Sequence, residues 1–187
     1  MSALATLSSD RICLRQWRDA DREAFATMNA DARVMEFFRS PLSHVESDAM
    51  VDGIERHFHQ HGFGLWAIEV PGVASFIGFA GLSVQRFRAH FTPCVEIGWR
   101  LAFEHWGRGY ATEAARLALG YGFVTVALRE IVSYTSATNH RSRAVMERLG
   151  MHRDPADDFD YPALPEGHPL RLHVLYRLGS SSYFSMR

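Results

Sequence analysis

A short glycine-rich segment is the part of the chain whose residues most clearly predict chemistry. Gly107 and Gly109 stand at alternate positions and permit backbone angles that other residues resist. A helix predicted to begin near Tyr110 would direct its unpaired N–H groups and its positive dipole end to the same place. Arg108 adds a side-chain cation. The segment therefore predicts a phosphate-binding site built largely from backbone amides.

Two common phosphate loops do not fit this spacing. The chain contains no G-x-x-x-x-G-K-[ST] string, and a G-x-G-x-x-G loop would need a third glycine where Thr112 stands. Two other interpretations stay open. The glycines could form an ordinary strand–helix turn, or the loop could bind the pyrophosphate of a different nucleotide.

Composition limits the classes of protein that the chain could belong to. Its 187 residues are 47% hydrophobic, which predicts a single domain over 1–187, with a core at about 11–178 and a loose tail over 179–187. A net charge of −1 argues against nucleic acid as a partner. Two cysteines without C-x-x-C spacing predict neither a disulfide framework nor a zinc finger. The chain shows no leader-like start and no apolar run of roughly 20 residues, which predicts no membrane partner and a cytoplasmic location.

The hydrophobic pattern predicts a mixed α/β protein. Asp19 or Asp21 could cap a first helix, and a capping box at Ser43 begins a second helix that ends near His61. A third helix is expected from Tyr110 to about Val124, with a face of small side chains, and a fourth begins at Asn139. Strands are expected at 11–17, 65–70, 76–84, 94–101, 131–135 and 172–178.

Three segments resemble one known family. Residues 106–111 are similar to the pyrophosphate loop [QR]-x-x-G-x-[GA] of the GNAT acetyltransferases, although Trp106 replaces the usual Gln or Arg. The form W-G-x-G-Y-A-T-E-A is familiar in the RimJ/RimL-like branch, which acetylates ribosomal-protein N-termini and other amines. Residues 96–99 resemble its E-I-G-[YW] strand, and residues 139–151 resemble its N-x-x-S…E-[KR]-x-G-[FM] segment. The resemblance covers about 11–178.

The resemblance implies the GNAT fold, with a central, mostly antiparallel sheet that splays at a cofactor slot between flanking helices. It also implies an N-acetyltransferase that uses acetyl-CoA and releases CoA. The acceptor amine, on a protein N-terminus or a small molecule, would attack the thioester directly in a ternary complex. The residues expected to bind the cofactor are Trp99, Arg100, Leu101, Trp106, Gly107, Arg108, Gly109, Tyr110, Ala111, Thr112, Asn139 and Ser142.

Two residues are candidates for catalysis. Glu96 could accept the proton of the amine, since burial would raise its pKa; alternatively it is a structural residue paired with Arg15 or Arg100. Ser142 could donate a hydrogen bond to the leaving thiolate; alternatively it is only the third residue of a helix capped by Asn139. Many GNAT enzymes have a Tyr slightly further along, which residues 149–152 lack.

Acceptor recognition is less well defined by the sequence. By family analogy Phe37, Phe38 and Glu96 should border the acceptor, as should residues 157–171, whose acidic side chains could attract a cationic amine or form a solvated loop. His57 and His61 share a helix face but lack an evident third ligand, so we expect no metal. A monomer or a homodimer is expected, and a non-catalytic CoA-binding module of the same fold stays open.

Overall fold

The computed structural model describes residues 5–186, and its centre is a mixed sheet flanked by helices. The order of the main elements matches the order predicted from the sequence. The strands are β1 (Leu7–Ser8), β2 (Cys13–Arg15), β3 (Leu65–Val70), β4 (Ala74–Gln85), β5 (Cys94–Leu101), β6 (Glu130–Ser136), β7 (His152–Arg153), β8 (Phe159–Asp160) and β9 (Leu172–Gly179). The helices are α1 (Asp21–Ala30), α2 (His44–His61), α3 (Tyr110–Gly120), α4 (His140–Arg148) and α5 (Ser180–Ser185).

The sheet is antiparallel except at its centre. Its strand order is β1-β2-β3-β4-β5-β6-β9-β7, with β8 also paired to β9. Strands β5 and β6 are parallel, and the crossover between them contains α3. Within β4, a side chain at Gly78 would place its Cβ 2.1 Å from the carbonyl oxygen of Arg100. Glycine therefore allows the close approach of β4 to β5 at this position.

Helix α2 follows the prediction, whereas the start of α1 does not. Ser43 and Glu46 form the expected capping box, and Gly62 ends α2 with a φ of 75°. In contrast, Ala20 occupies the N-cap of α1, without a side-chain cap. The expected cap by Asp19 or Asp21 is thus wrong. The Asp21 carboxylate is buried and accepts hydrogen bonds from the Arg15 guanidinium instead.

Helix α3 lies close to the sheet because its inner face carries small side chains. Ala114, Ala115 and Ala118 are fully buried against the core. The helix continues as one π-helical turn over Tyr121–Thr125. A Cβ at Gly122 would come within 2.8 Å of the Ile131 side chain. This packing fixes the position of the α3 N-terminus relative to the strands.

The C-terminal segment is not the loose tail that the sequence predicted. Helix α5 packs its buried Tyr183 against Phe123, with the two rings stacked 4.6 Å apart. Arg187, the last residue of that predicted tail, lies outside the described residues. Among the described helices, none is both long and apolar enough to cross a membrane.

A buried ion-pair network joins α1 to the sheet. Both terminal nitrogens of Arg15 donate to the carboxylate of Asp21, at 2.7 and 2.8 Å, and its Nε donates to Glu69 at 2.7 Å. The side chains of Arg15 and Asp21 are only 6% and 3% exposed. Removing one member would therefore leave a buried charge without its partner.

We expect Arg15→Met to destabilise the protein by about 3–5 kcal/mol, because it strands the Asp21 carboxylate in the interior. Chemical denaturation at neutral pH measures the effect. The matched control is Arg18→Met, since Arg18 pairs with Glu69 from a side chain that is 56% exposed and should cost at most about 1 kcal/mol. Equal losses for the two variants would contradict the importance of burial.

Candidate active site

The glycine-rich segment forms a loop between β5 and α3 whose backbone can bind an anion. A 3₁₀ turn over Phe103–His105 follows β5, and Gly107 and Gly109 then adopt φ angles of 73° and 83°. Gly109 is the N-cap residue of α3, so no side chain caps the first turn. Gly107, Arg108 and Gly109 are all exposed. The helix therefore presents N–H groups and its positive dipole end to solvent.

An arginine from the beginning of the chain fixes this loop. The Arg11 Nη1 donates to the carbonyl oxygen of Arg108 at 3.2 Å, and its Nε donates to Glu113 in the first turn of α3 at 2.8 Å. Ser9 donates to the other carboxylate oxygen of Glu113 at 2.6 Å. The Arg11 guanidinium also lies 5.2 Å from the ring centre of the buried Tyr110. These contacts of Arg11 and Ser9 were not predicted from the sequence.

Strands β5 and β6 separate beside the loop. They pair at only one position, Glu96 with Val132. The Ser133 hydroxyl donates to the carbonyl oxygen of Ile97 at 2.9 Å. The ladder between β4 and β5, in contrast, continues as far as Leu101. A gap thus opens along the last residues of β5, where an extended ligand could contact strand backbone.

Trp106 links the end of β5 to the glycine loop. Its indole N–H donates to the carbonyl oxygen of Leu101 at 2.8 Å. The Arg141 guanidinium, at the start of α4, lies 4.8 Å from the Trp106 ring and forms an ion pair with Glu36. A cleft of about 410 Å³ is lined by these three residues together with Ala32, Arg33 and Phe103. The cleft lies between the α1–α2 connection and the loop.

Glu96 lies on the face of β5 that points away from α3. The side chain of Gln85 donates to its carboxylate at 2.7 Å, and the hydroxyl of Tyr134 donates a second hydrogen bond. Although Glu96 is partly exposed, burial raises its pKa to about 7, against the lowering effect of the two donors. Burial and the nearby Glu96 charge raise the pKa of Tyr134, which keeps its phenol protonated.

The ion pairs that the structural alternative for Glu96 requires are absent among the described residues. Its carboxylate forms no ion pair with Arg15, which is occupied by Asp21 and Glu69. Nor does it pair with Arg100, whose Nη1 donates to Asn29 at 2.6 Å. A carboxyl group with a pKa near neutrality and no cation partner can accept a proton from an amine.

Asn139 and Ser142 have the helix-capping geometry that the sequence allowed. The Asn139 side chain accepts a hydrogen bond from the Ser142 N–H at 3.2 Å and donates to the Thr135 hydroxyl at 3.0 Å. Ser142 is partly exposed, and its hydroxyl has no hydrogen-bond partner between residues 5 and 186. Capping is therefore present, and it leaves the Ser142 hydroxyl available to a ligand.

The two phenylalanines expected near the acceptor lie in different places. Phe38 covers the Arg100 guanidinium at 4.0 Å from its ring centre, on the same face as Glu96. Phe37 lies beside Arg141, 5.4 Å away, at the cleft near Trp106. Only Phe38 therefore lies against a side chain of the β5 face that carries Glu96.

Arginines occupy three of the four carboxylates in residues 157–171, and only Glu166 is exposed without an ion pair among the described residues. Asp157 pairs with Arg177 at 2.7 Å, Asp158 pairs with Arg153, and Asp160 pairs with Arg171 at 3.1 Å. The expectation that these charges attract a cationic acceptor is therefore not supported. The same segment instead contributes aromatic rings near Glu96. A second hydrophobic cluster contains Phe87, Phe91, Tyr134, Phe159 and Tyr161 together with Cys94, Val132 and Leu175.

His57 has a structural role. Its Nδ1–H donates to the carbonyl oxygen of Phe63 at 2.9 Å, while its Nε2 accepts from the Val84 N–H at 3.0 Å. Burial lowers its pKa, which keeps the ring neutral. Within the described part of the chain, no group of three potential ligands could hold a metal ion.

Several residues of the site were not predicted from the sequence. Gln85 is a diagonal cross-strand neighbour of Glu96, as the β4–β5 register shows, so an exact hairpin register would have found it. Tyr134 lies on β6, and its position depends on one parallel pair formed across a long crossover. Asn29 reaches Arg100 from α1, a contact that no local pattern signals.

Comparisons with known proteins identify the family. Residues 11–152 match the family model "Acetyltransferase (GNAT) domain". The chain is 32% identical to the Bacillus subtilis protein YkkB over 153 residues, which are 81% of this chain and 88% of that protein.

Solved structures share the architecture. An acetyltransferase from Agrobacterium tumefaciens superimposes with a TM-score of 0.75 at 29% identity, covering 95% of this chain and 96% of that one. The Vibrio cholerae spermidine N-acetyltransferase, solved with CoA and spermine, has a TM-score of 0.73 at 18% identity and covers 94% and 99%. The glycine loop, the parted strands and the match over most of the chain lead to one conclusion: this protein belongs to the GNAT acetyltransferase family.

Proposed function

We propose that this protein is an acetyl-CoA-dependent N-acetyltransferase that acetylates a primary amine by direct attack in a ternary complex. The observation that carries the proposal is the gap between β5 and β6, which opens between the glycine loop and Glu96. Backbone amides at 107–112 and the Arg108 side chain would hold the pyrophosphate. Backbone groups of Trp99, Arg100 and Leu101 would hold the pantetheine arm, which supplies the activated thioester.

Glu96 acts as the general base in this proposal. Its carboxylate accepts the proton of the acceptor ammonium, directly or through one water, so that the amine becomes nucleophilic. Gln85 and Tyr134 position the carboxylate, since each donates one hydrogen bond to it. The pKa near 7 makes Glu96 a base that is half ionised at neutral pH and readily releases the proton afterwards.

Ser142 assists departure of the thiolate in this proposal, because its hydroxyl is partly exposed and has no hydrogen-bond partner among the described residues. Asn139 holds the first turn of α4 and thereby positions Ser142. The motif at 106–114 further supports assignment to the RimJ/RimL-like branch, with a protein N-terminus or a small amine as acceptor. We also propose a cytoplasmic location and a monomer or homodimer.

The first test separates a catalyst from a module that only binds CoA. Calorimetric titration should show micromolar binding of acetyl-CoA and no binding of NAD. With an accepted amine, Glu96→Gln should lower kcat by at least about 100-fold, since a positioned base contributes on this order, and should leave acetyl-CoA affinity unchanged. Unchanged turnover in this variant would exclude Glu96 as the base, and failure to bind acetyl-CoA would overturn the proposed function.

The pKa of Glu96 predicts the pH dependence. Because the ionised carboxylate is the active form, kcat/KM should rise with pH and level off above about pH 7. Tyr134→Phe removes a donor that lowers this pKa, so the rising limb should move to higher pH. The profile of kcat/KM from pH 5.5 to 9, measured in both proteins with the same acceptor, tests this shift of the rising limb. A limb that moves to lower pH would contradict it.

A substitution of Arg108 tests whether the glycine loop binds CoA. Arg108→Glu should weaken CoA binding by about tenfold or more, because it replaces a cation beside the pyrophosphate site with a like charge. Arg56→Glu is the matched control, since Arg56 is an exposed arginine on α2, about 50 residues from the loop in the sequence. If both variants bind CoA as tightly as the parent protein, the loop assignment is wrong.

A further inference from the structure

Arg100 is a partly buried cation without a carboxylate partner among the described residues. Its Nη1 donates to the Asn29 side chain, but its Nε is buried and has no hydrogen-bond acceptor. No carboxylate between residues 5 and 186 lies within ion-pair distance of it. Burial lowers its pKa to about 10, so the guanidinium is still charged at neutral pH. A buried charge without a partner is costly, which suggests that a ligand supplies the missing anion.

Other arginines in the chain show that a carboxylate normally binds the guanidinium donors that are unpaired in Arg100. Arg15, which is buried, binds both oxygens of Asp21. Arg153 uses its Nε and Nη2 together, the edge that is empty in Arg100, to bind both oxygens of Asp158. This edge matches the two oxygens of a carboxylate in a bidentate pair.

The surroundings hold the Arg100 side chain in place. Asn29, which is fully buried, accepts from Arg100 at 2.6 Å and itself donates to the buried Ser47 hydroxyl at 2.9 Å. The rings of Phe38 and Phe79 lie 4.0 and 5.4 Å from the guanidinium carbon. These contacts orient the guanidinium plane, while Nε and Nη2 have no protein acceptor within the described range.

Arg100 also shares a face of β5 with the proposed base. Glu96, Gly98 and Arg100 occupy alternate positions of the strand, so the side chains of Glu96 and Arg100 lie on one face. Their Cα atoms are about 13 Å apart at roughly 3.3 Å per residue. Gly98 between them carries no side chain. Apart from the Glu96 carboxylate at 3.9 Å, nothing outside its immediate chain neighbours would lie within 4 Å of a Cβ there. The missing side chain at Gly98 therefore leaves space on this face between Glu96 and Arg100.

We infer that the acceptor carries a carboxylate as well as its amine, and that Arg100 binds this carboxylate through Nε and Nη2 while the amine lies at Glu96. The inference rests on the proposed function and adds the class of acceptor to it. Glu96 and Arg100 are four residues apart along β5, which favours an amine and a carboxylate that are several bonds apart, as in an ω-amino acid or a short peptide.

Matched pairs of acceptors test the inference. One pair is γ-aminobutyrate and 4-aminobutanamide; the other is glycylglycine and glycylglycinamide. Release of CoA, followed with a thiol reagent, gives kcat/KM for each. We expect each carboxylate to exceed its amide by about 10- to 100-fold, the range for a charge-assisted hydrogen-bonded pair. In Arg100→Met this ratio should fall to about one.

Two further variants separate recognition from stability. Asn29→Asp places a carboxylate beside Arg100 at almost unchanged volume, so it should also reduce the ratio. Arg56→Met removes an exposed charge on α2 and should keep the ratio of the parent protein. Because each ratio compares two acceptors in one protein, a loss of folded protein does not change it.

If turnover is too slow to give kcat/KM, binding of the acceptors can be measured instead through the melting temperature. In the presence of CoA, γ-aminobutyrate should raise the melting temperature of the parent protein more than 4-aminobutanamide does, and Arg100→Met should abolish this difference. Equal kcat/KM for acid and amide, or a ratio that survives Arg100→Met, overturns the inference and leaves the proposed function intact. Failure of acetyl-CoA to bind in the calorimeter overturns the proposed function, and the inference with it.

Discussion

The separation of β5 from β6 is the feature on which the rest of the site depends. A continuous sheet would pair the backbone groups of Trp99, Arg100 and Leu101 with β6 and leave no room for a ligand. Here the two strands share one pair, at Glu96 and Val132, and then part. The strand β4 continues to pair with β5, helped by the close approach at Gly78. The gap is thus supported from one side and open on the other.

Each border of the gap is fixed by a different interaction. Arg11 and Ser9 hold the first turn of α3 through Glu113, so the exposed N–H groups keep their direction. The Trp106 indole ties the loop to the carbonyl oxygen of Leu101. Rigid support of this kind would let the backbone amides bind an anion without reorganising.

Glu96 and Arg100, on the face of β5 that points away from α3, show what burial does to a carboxylate and to a guanidinium. Burial raises the pKa of Glu96 towards neutrality, which suits proton transfer. Burial also lowers the pKa of Arg100, but only to about 10, so the guanidinium stays charged at neutral pH. Its buried Nε has no hydrogen-bond acceptor, which suits recognition of an anion. Elsewhere the chain pairs its buried arginine fully, as Arg15 does with Asp21 and Glu69. This contrast supports the inference that Arg100 binds the carboxylate of the acceptor.

The sequence by itself determined the elements whose signals are local. The glycines at 107 and 109, the capping box at Ser43 and the alternation along 94–101 depend on neighbours within a few residues, so they specified the loop, α2 and β5. Tertiary structure decided the rest, because it joins residues that are far apart in the chain. Tyr134 reaches Glu96 through the β5–β6 register, Asn29 reaches Arg100 from another layer, and Asp21 pairs with Arg15 rather than capping α1. Packing against Phe123 likewise turned the expected tail into α5.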